Sequence, residues 1–330
     1  MLSYIVRRCL MAIFTMWVIS VLAFVIIQLP PGDYITQYIR SLEEQGGISQ
    51  TGLADALRRQ YGLDRPLYVQ YWKWISQFAH GQFGSSMLYM LPVRDVIASR
   101  LGMTVIVTLA SIVFTWVLSL PIGIYSAVKQ YSPGDYFFTF LGFIGLAIPD
   151  FLLALLAMYF AFTRFNMSVG GLFSSTEMFL APWGLPKIVD LLKHLWLPAV
   201  ILGLSGMAGL VRITRNNLLD ELDKPYVVTA RAKGLQETKA ILKYPVRVAL
   251  NPFVSTLGYT LPQIVSGGII VSIIMSLPTV GPTLYSALLA QDMFLAGTII
   301  LLISLMTVIG TLISDILLVW VDPRIRLGER

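Results

Sequence analysis

Eight basic side chains crowd one interval of an otherwise greasy chain. Arg212, Arg215, Lys224, Arg231, Lys233, Lys239, Lys243 and Arg247 all fall between two apolar runs. At the centre stands Tyr226-Val227-Val228-Thr229-Ala230-Arg231-Ala232-Lys233-Gly234-Leu235. A basic loop between membrane spans lies in the cytoplasm. This one also has helical order. Asp223 and Pro225 suit a helix start. Tyr226, Ala230 and Gly234 recur at i, i+4 and i+8, on one helical face. Gly234 ends that helix and permits positive φ or close backbone approach. A second helical stretch, Gln236 to Tyr244, stops at Pro245. Two readings stand: a docking knob for a cytosolic partner, or a solvated loop held to anionic lipid. One carboxylate stands apart. Asp150 follows Pro149 inside an apolar run. A charge at membrane depth costs about 2.5–3.5 kcal/mol even on lenient scales, so Asp150 is a candidate for lining a solute path. The local alternative is an acid kept neutral or bonded to backbone that the proline frees.

Catalytic chemistry is poorly supplied. There are two histidines, His80 and His194, and one cysteine, Cys9, so neither a His-based metal site nor an internal disulfide is expected. No Gly-x-x-x-x-Gly-Lys-Ser/Thr, Gly-x-Ser-x-Gly or His-Glu-x-x-His occurs. The chain therefore does not bind ATP through a P-loop and shows no hydrolase catalyst. Leu204-Ser205-Gly206 resembles part of an ATPase signature but lies inside a span. There Gly203, Gly206 and Gly209 recur every three residues, as close helix packing requires.

Only 13% of the 330 residues are charged and 56% are hydrophobic; a soluble domain carries about 25% charged residues. The net charge of +6 sits beside apolar spans, so membrane topology explains it and nucleic acid is not an expected partner. A span needs about twenty apolar residues. Six are expected, at 9–29, 101–127, 137–163, 195–211, 253–277 and 293–320. The first follows Arg7 and Arg8. It is too long for a signal-peptide core and lacks a small-x-small cleavage pattern, so it reads as a retained span. Charge places Arg7, Arg8, Lys129, the 212–251 loop, Arg324, Arg326 and Arg330 inside, with both termini cytoplasmic. Segments 30–100 and 164–194 fall outside. Within 30–100, Leu53 to Tyr61 and Pro66 to Ala79 read as helices ended by Gly62 and Gly81. Trp72 and Trp74 suit either the membrane interface or packing within this outer subdomain. The fold class is all-α: a polytopic membrane protein of six transmembrane helices with an extracytoplasmic helical subdomain. Its parts are 1–29, the first span; 30–100, the outer subdomain; and 101–330, a five-span core carrying the 212–251 loop.

The chain resembles the permeases of ABC importers in the dipeptide/oligopeptide/nickel family. The 226–235 loop carries the likeness, together with the Leu-x-x-x-x-Val-Arg-x-Ala-Leu-x-Pro stretch from Leu242 to Pro252. So do Tyr4-x-x-Arg7-Arg8, Pro31-Gly32-Asp33, the run Tyr61 to Trp72, Gly81-x-x-Gly84-x-Ser86, and Val321-Asp322-Pro323-Arg324-Ile325-Arg326. The likeness covers nearly the whole chain, and the long first outer segment is similar to that of the first of the family's two permeases. It implies a bacterial or archaeal cytoplasmic membrane and alternating access. It implies as partners a second homologous permease, two cytosolic ATP-binding subunits, an extracytoplasmic solute-binding protein and membrane lipid. No cofactor is implied, and ATP hydrolysis would reside on the partners. ATPase coupling would fall to Tyr226, Thr229, Ala230, Arg231, Lys233, Gly234 and Leu235. Asp150 and Ser272 would face the translocation path. There are departures. Ser272 stands where the family commonly has Glu, Thr279 replaces a Gly, and Pro245 is unusual in the loop. A peptide ammonium would welcome the missing carboxylate and a neutral sugar would not need it, which moves the expected solute from peptide towards oligosaccharide. Nickel import is a further alternative. An ATP-independent secondary transporter would show inverted repeats or paired broken helices with ion ligands, and a membrane enzyme would show clustered catalytic groups; neither pattern is visible.

Overall fold

Long apolar runs without competing charge fold as helices in a membrane because only intrasegment hydrogen bonds satisfy the backbone there. The computed structural model describes residues 2–29, 62–165 and 169–321, with a few positions between 35 and 59. Described helices are α1 (Leu2–Gln28), α2 (Leu67–Ala79), α3 (Val93–Val128), α4 (Pro133–Ala147), α5 (Asp150–Phe165), α6 (Thr176–Leu180), α7 (Leu185–Leu222), α8 (Pro225–Ala232), α9 (Glu237–Lys243), α10 (Pro245–Ala249), α11 (Asn251–Ile274), α12 (Val280–Leu289) and α13 (Met293–Val321). Among the described residues the β-structure is one isolated bridge, Ser85 with Pro92. The expected helix at Leu53 to Tyr61 lies largely outside the described residues, as does the Pro31-Gly32-Asp33 motif.

Among the described residues, four helices are long and apolar enough to cross a bilayer: α1 over Leu10–Gln28, α3, α7, and α13 over Met293–Ser314. α11 occupies the fifth expected span, with the side chains of 257–267 outside the described residues. The run expected as one span at 137–163 is instead two helices, α4 and α5, bent by 104°. The cause is Pro149. Its ring excludes helical ψ from the preceding residue, and Ile148 is extended at φ −89°, ψ 123°. α5 restarts at once, with the amides of Leu152 and Leu153 on the Pro149 carbonyl at 2.9 and 3.1 Å.

The chain groups into two compact units, 1–103 with 279–306 and 104–278 with 307–330. In the first, α2 packs on α1. The Ser20 and Tyr71 hydroxyls lie 2.8 Å apart, and Phe24 stacks on Trp74 and meets Tyr71 edge-on. Trp74 is 2% exposed and presses on Gly297, where an added Cβ would stand 2.6 Å from the indole. Trp72 is exposed, so the two tryptophans divide between packing and surface. Buried Asp292 caps α13 through the Leu295 amide (3.1 Å). It also accepts bonds from the Ser86 hydroxyl (2.6 Å) and the Leu88 amide (3.0 Å), which ties down the Gly84-x-Ser86 segment.

In the second unit α7 is the hub. Gly203 lets α3 approach: a Cβ there would meet Phe114 at 2.8 Å and the Ser111 carbonyl at 2.9 Å. Thr115 donates to the Gly203 carbonyl at 2.9 Å. Of the three expected packing glycines, Gly203 carries the close contact, Gly206 has Thr115 at 3.7 Å, and Gly209 has nothing within 4 Å. At the other end of α7, buried Lys187 gathers the 169–184 segment. Its ammonium donates to the Phe179 and Ala181 carbonyls, both at 2.6 Å, and lies 4.9 Å from the Trp183 ring centre.

Candidate functional site

The basic interval folds as three short helices seated on the end of α7. Val227 and Ala230 from α8, Ala240 and Ile241 from α9, and Val246 and Ala249 from α10 are buried. Ile241, Val246 and Ala249 share a core with Ala127 of α3 and Leu218 of α7, flanked by Leu219 and Leu222. The interval is thus a packed protrusion, with its apolar face spent on the membrane core. Its basic residues Lys224, Arg231, Lys233, Lys239, Lys243 and Arg247 are all exposed.

α8 ends in a Schellman turn. Lys233 is the cap, and Gly234 follows at φ +79°. The Gly234 amide bonds the Arg231 carbonyl at 2.9 Å, and the Leu235 amide bonds Ala230 at 3.2 Å. Of the two readings of Gly234, the positive φ is present, and within this chain there is no close approach, since a Cβ there would meet nothing within 4 Å. The glycine is therefore needed for the turn, with open space in front of it.

The chain corrects two details of the expected helix. Asp223 does not cap α8; it ends α7, and the N-cap is Lys224, extended at φ −66°, ψ 147° with no side-chain cap bond. Nor do Tyr226, Ala230 and Gly234 share one role. Ala230 is buried, Tyr226 is 40% exposed, and Gly234 lies beyond the helix. Val227, one residue on from Tyr226, takes the inward position instead. Pro245 stops α9 as expected but also opens α10, where its missing amide costs nothing.

Side-chain bonds fix the turn. Arg231 grips Glu237 with two bonds, Nε at 3.0 Å and Nη2 at 2.7 Å, bridging α8 to α9 across Gly234. Arg231 Nη1 also reaches the Leu222 carbonyl at 3.4 Å. The bond from Arg231 holds the Glu237 carboxyl below its ordinary range, and the same bond raises the guanidinium. Tyr226 donates to Glu221, its ring 6.3 Å from Tyr244. Thr229 back-bonds to the Pro225 carbonyl at 2.8 Å. Lys233 and Leu235 flank the glycine, Leu235 half-buried.

One basic residue of the interval is committed inward. Arg215 forms two bonds to Asp135 of α4, at 3.0 and 2.9 Å. Asp135 is 2% exposed and also accepts the Tyr131 amide at 2.9 Å. Asp135 escaped the sequence reading. Its signal was Ser132-Pro-Gly-Asp135, a helix start in which Ser132 accepts the Asp135 amide at 3.2 Å.

The two candidate path residues both lie in the chain's second unit. Asp150 is the first residue of α5, half-buried at the break between α4 and α5. Ser272 is 5% exposed in the last turn of α11. Its carbonyl accepts the Leu277 amide at 2.8 Å, closing a turn in which Ser276 has φ +53°. No group of three or more His, Cys, Asp or Glu that could hold a metal occurs among the described residues.

Two family models match the chain. The one described as binding-protein-dependent transport system inner membrane component covers residues 119–327, the whole basic protrusion included. Its N-terminal counterpart covers 1–108. Full-length relatives agree. The oligopeptide transport system permease protein AppB of Bacillus subtilis is 37% identical over 98% of this chain and 99% of its own. A putative peptide permease protein of Brucella ovis is 35% identical over 99% and 100%. The glutathione transport system permease protein GsiC of Escherichia coli K12 is 32% identical over 99% of each chain.

Proposed function

The chain belongs to the binding-protein-dependent transport system inner membrane components, the permease subunits of ABC importers, and on that premise we propose that it moves small peptides inward across a cytoplasmic membrane. It is a transport subunit and a multi-pass membrane protein. Both termini and the 212–251 protrusion face the cytoplasm, and 30–100 and 164–194 face outward. A second, similar permease completes the path, two ATP-binding chains supply the energy, and an external binding protein delivers the solute. ATP-driven closure of the ATPases pushes on the turn at Gly234, and the spans rock between outward and inward openings. Asp150 and Ser272 line the path.

The observation that carries the coupling role is the setting of Gly234. Its backbone is left-handed, and the space before it is empty. Gly81 shares both features, so the support for coupling at Gly234 is its place on a packed protrusion whose surface basic residues stand exposed. Peptide as solute rests on the names of the three relatives, each nearly full-length. Ser272, where a family carboxylate commonly stands, favours a neutral oligosaccharide on charge alone, but one side chain weighs less than those relatives.

The test is the assembled importer in proteoliposomes. Binding protein loaded with mixed di- to pentapeptides should raise ATP hydrolysis and accumulate peptide inside. Stimulation by oligosaccharides or nickel in place of peptides would overturn the solute. Uptake that proceeds without ATP would overturn the importer's energy source. Cysteine at Gln77 in a Cys9→Ser background should react with an impermeant thiol reagent from the outer face; labelling only after the membrane is opened would reverse the topology.

A further inference from the structure

α4 lies antiparallel on α7, and three contacts fix how. Asp135 meets Arg215 at 3.0 and 2.9 Å. A Cβ on Gly142 would stand 3.7 Å from the Ala208 Cβ, and one on Gly145 would stand 3.1 Å from Leu204. The step from Asp135 to Gly142 along α4 matches the step back from Arg215 to Ala208 along α7, about 10 Å of each helix. All of these residues belong to the chain's second unit. The two ends of the seam differ in kind. Gly142 and Gly145 bring the helices close but offer α7 no side chain to interlock with, so they resist sliding poorly. The other end carries the directional contact. Two parallel bonds from a guanidinium to a carboxylate tolerate little displacement, and Asp135 is itself held by the Tyr131 amide. The remaining bulk of α4 does not grip: Tyr136, Phe137, Phe140 and Phe143 are all exposed. At its far end α4 breaks at Ile148 and Pro149, and Asp150 opens α5.

We infer that Asp135 and Arg215 are positioning residues for transport: the pair sets the register of α4 on α7, so that the end of α7 bearing the protrusion and the α4–α5 break beside Asp150 move as one piece. A slip of one helical turn would displace the break by about 5.4 Å. The protrusion would stay seated, because its core rests on Ala127 and Leu218. The ATP-binding chains would then still engage and hydrolyse, but their push would reach the path out of place. This role rests on the proposed coupling at the protrusion.

The test uses the assembled importer in proteoliposomes, in a Cys9→Ser background that leaves this chain without cysteine. The readout is peptide taken up per ATP hydrolysed. Asp135→Asn and Arg215→Gln should each lower this ratio at least fivefold, while hydrolysis stays within twofold of the parent. Lost packing alone would reduce the amount of complex and not the ratio. A covalent staple at the same register then replaces the pair. Gly142→Cys with Ala208→Cys sets two Cβ atoms 3.7 Å apart, within the span of about 3.5–4.5 Å that a disulfide takes. Oxidised, the staple should bring the ratio of Asp135→Asn back to within twofold of the parent, and reduction should lose it again. The same staple with Asp135 intact should leave uptake unchanged. The role is refuted if either single variant keeps its ratio, if the staple restores nothing, or if the staple alone blocks uptake, since α4 would then slide on α7 during transport. Where a single variant does not assemble, the stapled complex decides: assembled oxidised, it must lose its ratio on reduction. A Cys9→Ser parent without ATP-dependent uptake would sink the importer reading itself, before any variant of the pair is compared.

Discussion

Substitution of Gly234 separates two reasons for a glycine, because the residues that strain the turn least are those that fill the space most. An L-residue in the left-handed region costs about 1–2 kcal/mol, and Asn and Asp enter it more readily than Ala. With nothing within 4 Å of the added Cβ, the chain alone imposes no steric cost. If Gly234 serves only the turn, Gly234→Ala should be the worst of the series and Gly234→Asn the mildest, all within about 2 kcal/mol. If a partner's surface occupies the open space, the order reverses. Asn and Asp carry three more side-chain heavy atoms than Ala into the contact, and their effect on partner binding should exceed their effect on the chain. The expected result is a melting temperature near wild type for purified Gly234→Asn, together with at least tenfold weaker association with the ATP-binding chains. Tenfold corresponds to about 1.4 kcal/mol. Gly234→Ala should weaken association less than Asn. The assay is a binding titration of the ATP-binding chains on permease in nanodiscs, paired with thermal unfolding of the permease alone. Wild-type association for Asn and Asp, with Ala the only defective variant, would refute the coupling role and leave Gly234 a simple helix stop.

Asp135→Asn should destabilise the purified chain by about 3 kcal/mol, the low end for breaking a buried pair, because Arg215 keeps 20% of its side chain exposed; unfolding of the single and double variants with Arg215→Gln should show the double no worse than the single. Gly297→Val should drive a side chain into Trp74, whose ring lies 2.6 Å from the added Cβ, at about 1–3 kcal/mol; indole fluorescence with thermal melting should report both the shift and the loss, and an unchanged melt would mean the contact relaxes freely. The Arg231–Glu237 bridge should be indifferent to pH across the neutral range. The Glu237 carboxyl is held below its ordinary value, so its contribution is present above that value and lost only as pH falls through the lower folded one. The bond from Glu237 raises Arg231 above its ordinary value, so its contribution is present throughout and lost only at extreme alkalinity. ATPase coupling that titrates between pH 6 and pH 8 would have to come from another group. Asp150→Asn should alter transport rate or solute preference while assembly is unchanged; if uptake is unaffected, Asp150 serves only the start of α5.

Much of this arrangement could be read from residue order, because the forces that set it are local. Gly81 and Gly234 stop helices through their own φ, and apolar length alone marks α1, α3, α7 and α13. Pro149 was visible, but its consequence was not. Membrane helices often carry proline with a modest kink, and whether the chain resumes its direction depends on what packs beside it, which no local pattern states. The Asp135–Arg215 pair was hidden by a different cause, since its partners lie 80 residues apart and each alone looks like an ordinary charge near a span end. Spacing puts Tyr226 on one face with Ala230 and Gly234, yet the core beneath α8 lies a third of a turn from Tyr226 and takes Val227. The buried role of Asp292 likewise depends on Ser86 and Leu88, some 205 positions earlier.

α7 has 38 residues in one helix that runs through Pro198, about 57 Å from end to end, close to twice the hydrocarbon thickness. It is rooted at both ends. Lys187 ties one end to the 169–184 segment, and Leu218 and Leu222 root the basic protrusion on the other. A helix held in this way moves its two ends together. Tilting it by about 10° about its midpoint would carry each end some 5 Å in opposite directions. The 169–184 segment and the turn at Gly234 then share one mechanical coordinate. In the proposed orientation, a push at Gly234 would appear as a displacement around Lys187, and a ligand pinning the 169–184 segment would brake the turn.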